Sequence, residues 1–423
     1  MKTKAVRLHG KEDLRLEEFE LPPIRENEIL ARVVTDSLCM SSYKAAHQGA
    51  EHKRIPDNVA ENPTIIGHEF AGDIVEVGNK WKYHFKSGEK FSIQPAINYA
   101  EGPVGILSAP GYSYQYIGGN ATYIIIPNEV MANDCLLRYT GKGYYPASLA
   151  EPLSCVAGAM HANYHTDHGS YFHKMEIVQR GNMAILAGVG PMGLAAISYV
   201  LHRKDRKPKL LVVTDIDQKR LDRAARLYTP EMASEQGIEL HYINTGNLSS
   251  PPEYLKQYTD NKGFDDVFVF AAVPALIEQA DTLLARDGCL NFIAGPQDPG
   301  FKARFNFYNV HYQSTHIVGT SGGNIEDMKE SLHLIEKGLD PAGLVTHIGG
   351  LDAVIDTTLR LPEIPGGKKL IYTGINMPLT AIEEFKQKGQ KNSLFCQLDE
   401  ICSRHNGLWN IEAEKLLLAR QSN

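Results

Sequence analysis

The feature that most limits what this chain can fold into is a turn of three glycines, Gly188, Gly190 and Gly193. It lies between a short apolar run, Met183 to Ala187, and a helix-like stretch, Leu194 to Leu201. The spacing alone would say little, but the strand before it and the helix after it supply the context a dinucleotide needs. The first glycine makes the tight turn, the second admits a pyrophosphate against the backbone, and the third lets helix and strand pack closely. Pro191 and Met192 open the helix, whose unpaired N–H groups face the phosphates. Asp215 ends the next apolar run, where a carboxylate can accept hydrogen bonds from ribose hydroxyls and repel a 2′-phosphate. That favours NAD over NADP; Lys219 and Arg220 are the residues that would favour the reverse, and Asp217 reads as a helix cap.

Around this turn the strand candidates alternate with helical stretches: Met183 to Ala187, Leu210 to Thr214, Leu240 to Ile243, Val267 to Phe270, Leu290 to Ile293 and His316 to Val318. Such alternation indicates a parallel, doubly wound α/β sheet of Rossmann type. The first part of the chain is different. Short strands at Lys4 to Leu8, Glu28 to Val34, Gly72 to Val77 and Lys90 to Gln94, separated by Pro/Gly/Asn breakers, suggest a largely β body. At 423 residues two domains are expected. We place a catalytic domain at 1–165 and 343–375, a dinucleotide-binding domain at 166–342, and a helical C-terminal extension at 376–423. In that extension Thr380 and Glu383 are spaced as a capping box and Asn410 as a cap.

With 43 Lys+Arg against 50 Asp+Glu the net charge is -7, which argues against a nucleic-acid or anionic-membrane binder. Neither a signal-peptide core nor a membrane-length apolar run is evident, so a cytoplasmic protein is expected. The six cysteines form no C-x-x-C pair, and disulfides are not expected.

Three separated pieces carry residue types that zinc accepts: Cys39 within Ser37 to Ser42, His68 and Glu69 within Gly67 to Gly72, and Glu151 before Pro152 and Leu153. The order C-x-S, G-H-E-x-x-G, E-P-L and then G-x-G-x-x-G resembles the zinc-containing polyol branch of the medium-chain dehydrogenases. The resemblance implies a GroES-like catalytic domain beside the Rossmann domain. It implies that Cys39 and His68 bind one catalytic zinc, with Glu69 and Glu151 completing the shell directly or through water. It also implies Ser41 as a proton-relay hydroxyl, a dimer or tetramer, and a polyol or ketose substrate reduced or oxidised at a CH–OH carbon.

Two departures stand out. Family members often carry four cysteines for a structural zinc in a lobe corresponding to Gln94 through Ser113, and this segment has none, so no structural zinc is expected. After Cys39 come Met40, Ser41 and Ser42, so the position of Ser42 is expected to lose the usual polar partner of the zinc shell. Segments such as Gly111 to Tyr114, His161 to His165 and Pro365 to Ile371 are similar to family members that reduce a ketose phosphate, which implies a phosphorylated sugar. The basic run Lys44, His47, His52, Lys53 and Arg54 follows the Cys39 loop, and Lys53 and Arg54 are the candidates to hold that phosphate. The alternating Tyr112, Tyr114 and Tyr116 could pack on or hydrogen-bond to a sugar, but such a row is more often core and they are left out of the site; Lys368 and Lys369 could approach the cofactor pyrophosphate but are not distinguished from surface lysines. The rival readings are an unphosphorylated polyol dehydrogenase, a zinc-free quinone-reductase-like enzyme, and a non-catalytic dinucleotide-binding protein; the joint presence of Cys39, Ser41, His68, Glu69 and Glu151 disfavours the last two.

Overall fold

The computed structural model describes residues 1–167 and 169–420. The chain divides into two compact units, Met1–Glu151 with Ser331–Asn423, and Pro152–Glu330. The cuts fall at 151 and 330, so most of the helix Ala150–Ala162 belongs to the second unit.

The second unit is built on six parallel strands. Their spatial order is Glu239–Asn244, Leu210–Asp215, Asn182–Leu186, Phe264–Val269, Leu284–Phe292 and His316–Gly319. The order reverses at Asn182–Leu186, and the glycine turn follows that strand directly, at the carboxyl ends where such sheets bind ligands. Val212, Val267, Phe268 and Ile185 are fully buried, as the near-continuous apolar runs of a two-sided parallel sheet require.

The first unit is organised by one long strand, Ile29–Leu38, in an eight-stranded sheet. Phe70–Val77 pairs with it antiparallel, with Asp36 opposite Phe70. Lys368–Tyr372, arriving from near the end of the chain, pairs antiparallel along the other edge, with Lys369 opposite Leu38. Three chain segments far apart in sequence therefore reach the same end of one sheet. The strand extends to Leu38, four residues past Val34, because Thr35, Asp36 and Ser37 continue the pairing although they are polar and buried.

The expected capping box at Thr380 does not form. Thr380 and Ala381 instead pair as a short strand with Val345–Gly350, and the Thr380 hydroxyl donates to the Pro378 carbonyl. A β-branched residue beside an edge strand gains more from the ladder than from a cap. Asn410 does cap its helix, accepting from the Ala413 N–H at 3.0 Å. The tail packs into the first unit through Trp409, Phe385, Leu398 and Leu417, around Tyr372. At its centre Glu414 is fully buried. Its carboxylate accepts from the Tyr145 N–H (2.9 Å), the Tyr144 N–H (2.7 Å) and the Tyr372 hydroxyl (2.8 Å), and Trp409 Nε1 donates to that same hydroxyl at 2.7 Å. Gly143, at φ +73°, leaves the room, since a Cβ there would stand 2.3 Å from Glu414 Oε2.

Glu414→Ala would strand three donors, two of them buried, each buried one costing about 1–3 kcal/mol if left unpaired. The variant is expected to melt several degrees below the parent, whereas Glu412→Ala, which removes an exposed ion pair with Arg404, should lie within a degree or two. Thermal denaturation followed by circular dichroism checks both.

Candidate active site

Cys39 leaves the end of strand Ile29–Leu38 and stands at the N-cap of helix Met40–Gln48; His68 and Glu69 immediately precede strand Phe70–Val77. The approach is held by Asp36, whose Oδ1 accepts from the Glu69 N–H at 3.1 Å. Its carboxyl sits in a cradle of glycines. A Cβ on Gly67, at φ +97°, would lie 2.6 Å from Asp36 Oδ2, and one on Gly119 would lie 2.2 Å from Oδ1. Full burial, and then the neighbouring Glu69 carboxylate, push the Asp36 carboxyl well above the usual range.

The Cys39 sulfur, a ring nitrogen of His68 and a carboxylate oxygen of Glu69 all lie within 4.8 Å of one another. Thiolate, imidazole and carboxylate are the donor set zinc accepts, and their convergence in a buried pocket fits that metal. Glu151 joins the cluster electrostatically. It is 9% exposed, and burial followed by the charge of Glu69 raises its carboxyl to about 7, with His68 pulling the other way. Burial holds the Cys39 thiol up, partly countered by Lys368, and burial lowers the His68 imidazole.

Lys368, which the sequence left undecided between the cofactor pyrophosphate and the surface, is no surface lysine: it belongs to the Cys39–His68–Glu69 cluster. It is 5% exposed, and its ammonium donates to both oxygens of Glu69, at 2.5 and 2.7 Å. Burial opposes its charge, but Glu69 and Cys39 outweigh burial and hold it above its ordinary range. Glu69 therefore already carries a full counter-charge. Lys369 is also buried, but its ammonium is spent on the carbonyls of Ile364 and Gly367.

Ser41 Oγ lies 3.5 Å from the Cys39 sulfur. Ser42 corrects the expectation drawn for it. Its hydroxyl stands 3.2 Å from His68 Nδ1, so serine itself supplies the outer contact to that ring. Tyr112, left out of the site in favour of a core reading, stands beside the cluster. Its hydroxyl is 3.3 Å from His68 Nε2, while Tyr116 turns away to pack on Phe19.

The basic run divides. His47 is paired with Glu12, away from the cluster, and Lys53 is exposed. The Arg54 guanidinium lies 5.8 Å from the Tyr112 ring centroid and donates to the Leu107 carbonyl at 2.9 Å. His52 stacks on the same ring at 5.9 Å; burial first, then Arg54, Lys53 and Lys44, lower it to about 4. The cysteine-free lobe is stitched by serine hydroxyls: Ser108 accepts from the Val104 N–H, Ser113 from the Ala109 N–H, and Ser113 donates to the Arg54 carbonyl.

In the second unit the glycine turn has the geometry its sequence implies. Gly190 is the N-cap of helix Pro191–His202, with Pro191 and Met192 in its first turn. A Cβ on Gly193 would stand 2.2 Å from the Gly188 carbonyl oxygen, so helix and turn could not pack with any side chain there. Asp215 is 9% exposed, and its Oδ1 accepts from the N–H groups of Ile216 and Asp217. Asp217 caps the following helix through the Arg220 N–H. The Arg220 side chain reaches back to the turn, with Nη2 3.3 Å from where a Gly190 Cβ would be.

Residues 25–133 match the alcohol dehydrogenase GroES-like domain, and residues 191–337 match zinc-binding dehydrogenase. The chain belongs to the zinc-binding dehydrogenases. It is 51% identical over 417 residues to mannitol-1-phosphate 5-dehydrogenase of Aliivibrio fischeri, covering 98% of this chain and 97% of that one. It is 50% identical over 418 residues to L-sorbose 1-phosphate reductase of Klebsiella pneumoniae, covering 99% and 97%. The fold is shared with 2R,3R-butanediol dehydrogenase of Bacillus subtilis, at a TM-score of 0.68 and 20% identity over 88% of this chain and 99% of that one. As a zinc-binding dehydrogenase the chain acts on CH–OH groups with a dinucleotide cofactor. Among the described residues no helix is long and apolar enough to cross a membrane.

Elemental analysis should find about one zinc per chain, and Cys39→Ala should lose it while the circular dichroism spectrum stays near that of the parent. Because the Glu151 carboxyl takes up a proton as pH falls through about 7, zinc-free protein should bind zinc progressively more weakly below that pH. Glu151→Gln should bind zinc weakly throughout and lose that step; competition with a chromogenic chelator measures it.

Proposed function

We propose that this zinc-binding dehydrogenase interconverts a ketose phosphate and a hexitol phosphate, with L-sorbose 1-phosphate and D-glucitol 6-phosphate as the pair the site favours. The observation that carries the reading is the position of Arg54, on the face of a tyrosine whose hydroxyl touches His68. A guanidinium beside the ligand cluster suits a phosphate on the carbon next to the one that reacts, as in L-sorbose 1-phosphate. A hexitol 1-phosphate oxidised at C5 would carry its phosphate toward the far end of the chain. That second reading is supported by the equal identity to the mannitol-1-phosphate enzyme.

Cys39, His68 and one or both of Glu69 and Glu151 would hold the zinc, which when bound supplies Lewis-acid polarisation of the substrate carbonyl. Ser41, two residues after Cys39, hands a proton to the substrate oxygen as the carbonyl is reduced. Arg54 and Lys53 orient the phosphate. The Lys368 ammonium neutralises Glu69, so the cluster does not gather an excess of negative charge that would repel an anionic substrate. Asp215 is read as the ribose acceptor: Oδ1 anchors the turn, and Oδ2 would accept from the hydroxyls, which favours NAD. Arg220, close to the turn, faces the phosphates.

Wild-type kcat/KM is expected to favour L-sorbose 1-phosphate over both L-sorbose and fructose 6-phosphate. A preference for fructose 6-phosphate would establish the second reading instead. Arg54→Gln should cost about tenfold or more on the phosphorylated ketose and much less on the unphosphorylated sugar; Lys53→Gln should have the smaller effect of the two. Equal losses on both sugars would mean that Arg54 shapes the pocket without reading phosphate. Asp215→Ala should raise KM for NAD and shift preference toward NADP, and an unchanged preference would place ribose recognition elsewhere.

A further inference from the structure

Tyr112 has no part in the reaction as drawn so far, yet its hydroxyl lies at the one ring nitrogen that ligation would occupy. The ring is 4% exposed and its hydroxyl is 3.3 Å from His68 Nε2, with the Ser41 hydroxyl also within its reach. Its place is built. A Cβ on Gly111, at φ +78°, would stand 2.0 Å from the Gly67 carbonyl oxygen, so only glycine lets the tyrosine segment approach His68 so closely. His52 stacks on the ring and Arg54 lies over it.

The proton positions around His68 follow from its two neighbours. A histidine that gives one nitrogen to a metal donates its other N–H to an outer partner. Ser42 Oγ, 3.2 Å from Nδ1, is that partner, which leaves the lone pair on Nε2, where it accepts the Tyr112 O–H. When Nε2 serves as a ligand the lone pair is engaged, and the Tyr112 O–H must find another acceptor or stay buried and unpaired. The Ser41 oxygen, within reach, can accept it while the Ser41 hydrogen goes to the substrate, and a substrate oxygen beside the reacting one is the other acceptor. Both hydroxyls border the place where the substrate oxygens must lie. A ketose presents two oxygens side by side there, the carbonyl and the hydroxyl on the next carbon.

We propose that Tyr112 is a substrate-binding residue whose O–H donates to the hydroxyl oxygen on the carbon beside the reacting one, so that the site selects α-hydroxy ketones and vicinal diols over simple ketones and alcohols. The proposal rests on the reading of the site as a polyol or ketose dehydrogenase, but not on the phosphate. A site built to donate to a substrate hydroxyl loses heavily when either partner is removed.

The test is Tyr112→Phe, which keeps the ring and its stacking, compared with Arg54→Gln. With zinc content at the parental level by elemental analysis, Tyr112→Phe should lose about tenfold or more in kcat/KM on L-sorbose 1-phosphate and on L-sorbose alike. D-glucitol 6-phosphate, titrated calorimetrically into the zinc-loaded enzyme with oxidised cofactor, should bind about tenfold more weakly. The phosphate reading fails separately, if Arg54→Gln does not discriminate between the two sugars; a loss in Tyr112→Phe on both would stand regardless. Parental kinetics and product binding in Tyr112→Phe would overturn the proposal, leaving its hydroxyl satisfied by Ser41. Loss of zinc would overturn it too, by showing that the hydroxyl positions His68 instead.

Discussion

The first unit depends on an ion pair between residues 299 positions apart, Lys368 and Glu69, closed by two short hydrogen bonds in a nearly solvent-free pocket. Removing both ions from water is expensive, and such a pair seldom adds net stability; what it does is penalise every arrangement in which one partner is buried alone. The penalty acts on register. If strand Lys368–Tyr372 slipped by one residue against Ile29–Leu38, Lys369 would move toward Glu69 and its own carbonyl partners would be lost. The pair also sets the character of the neighbouring ligand cluster. A carboxylate with a fixed ammonium on both oxygens is a weak competitor for a metal, which shifts the burden of charge compensation toward Cys39 and Glu151.

Much of this was readable in the linear chain, for identifiable reasons. The dinucleotide turn is local: strand, glycines and helix are contiguous, and each glycine answers a clash that can be stated in advance, as Gly193 against the Gly188 carbonyl bears out. All six strands of the second unit were located, with ends displaced by up to six residues, as at Leu284, where the ladder begins well before the apolar core of the run. The family resemblance drew Cys39 and His68 together from motifs 29 positions apart, a pairing that composition alone could not supply.

What was not legible comes from long-range pairing. Lys368 looks like any lysine beside a Pro/Gly/Gly turn until strand register brings it to Glu69. Tyr112 looked like one member of an alternating row, but the segment turns at Gly111 and does not run as a strand. Ser42 seemed a loss because the usual residue is longer; a one-turn helix start that brings the serine closer to His68 was not visible from residue identity. At Thr380 a local cap competed with a distant ladder and the ladder prevailed.

The buried Glu414 has a consequence in time. The first unit is discontinuous: one partner of its central strand, and the carboxylate that satisfies Tyr144, Tyr145 and Tyr372, come from the last sixth of the chain. The second unit is one continuous segment, and domains generally fold as units during synthesis, N-terminal parts first. On the ribosome, then, the second unit can reach its final form while strands Ile29–Leu38 and Phe70–Val77, which flank Cys39, His68 and Glu69 in the sequence, wait beside an unfilled edge. Strand Ile29–Leu38 gains its neighbour Lys368–Tyr372, and Glu69 its counter-ion, only after the whole second unit has been made, so a chain cut short before residue 368 would carry Cys39, His68, Glu69 and Glu151 without the ammonium that neutralises Glu69.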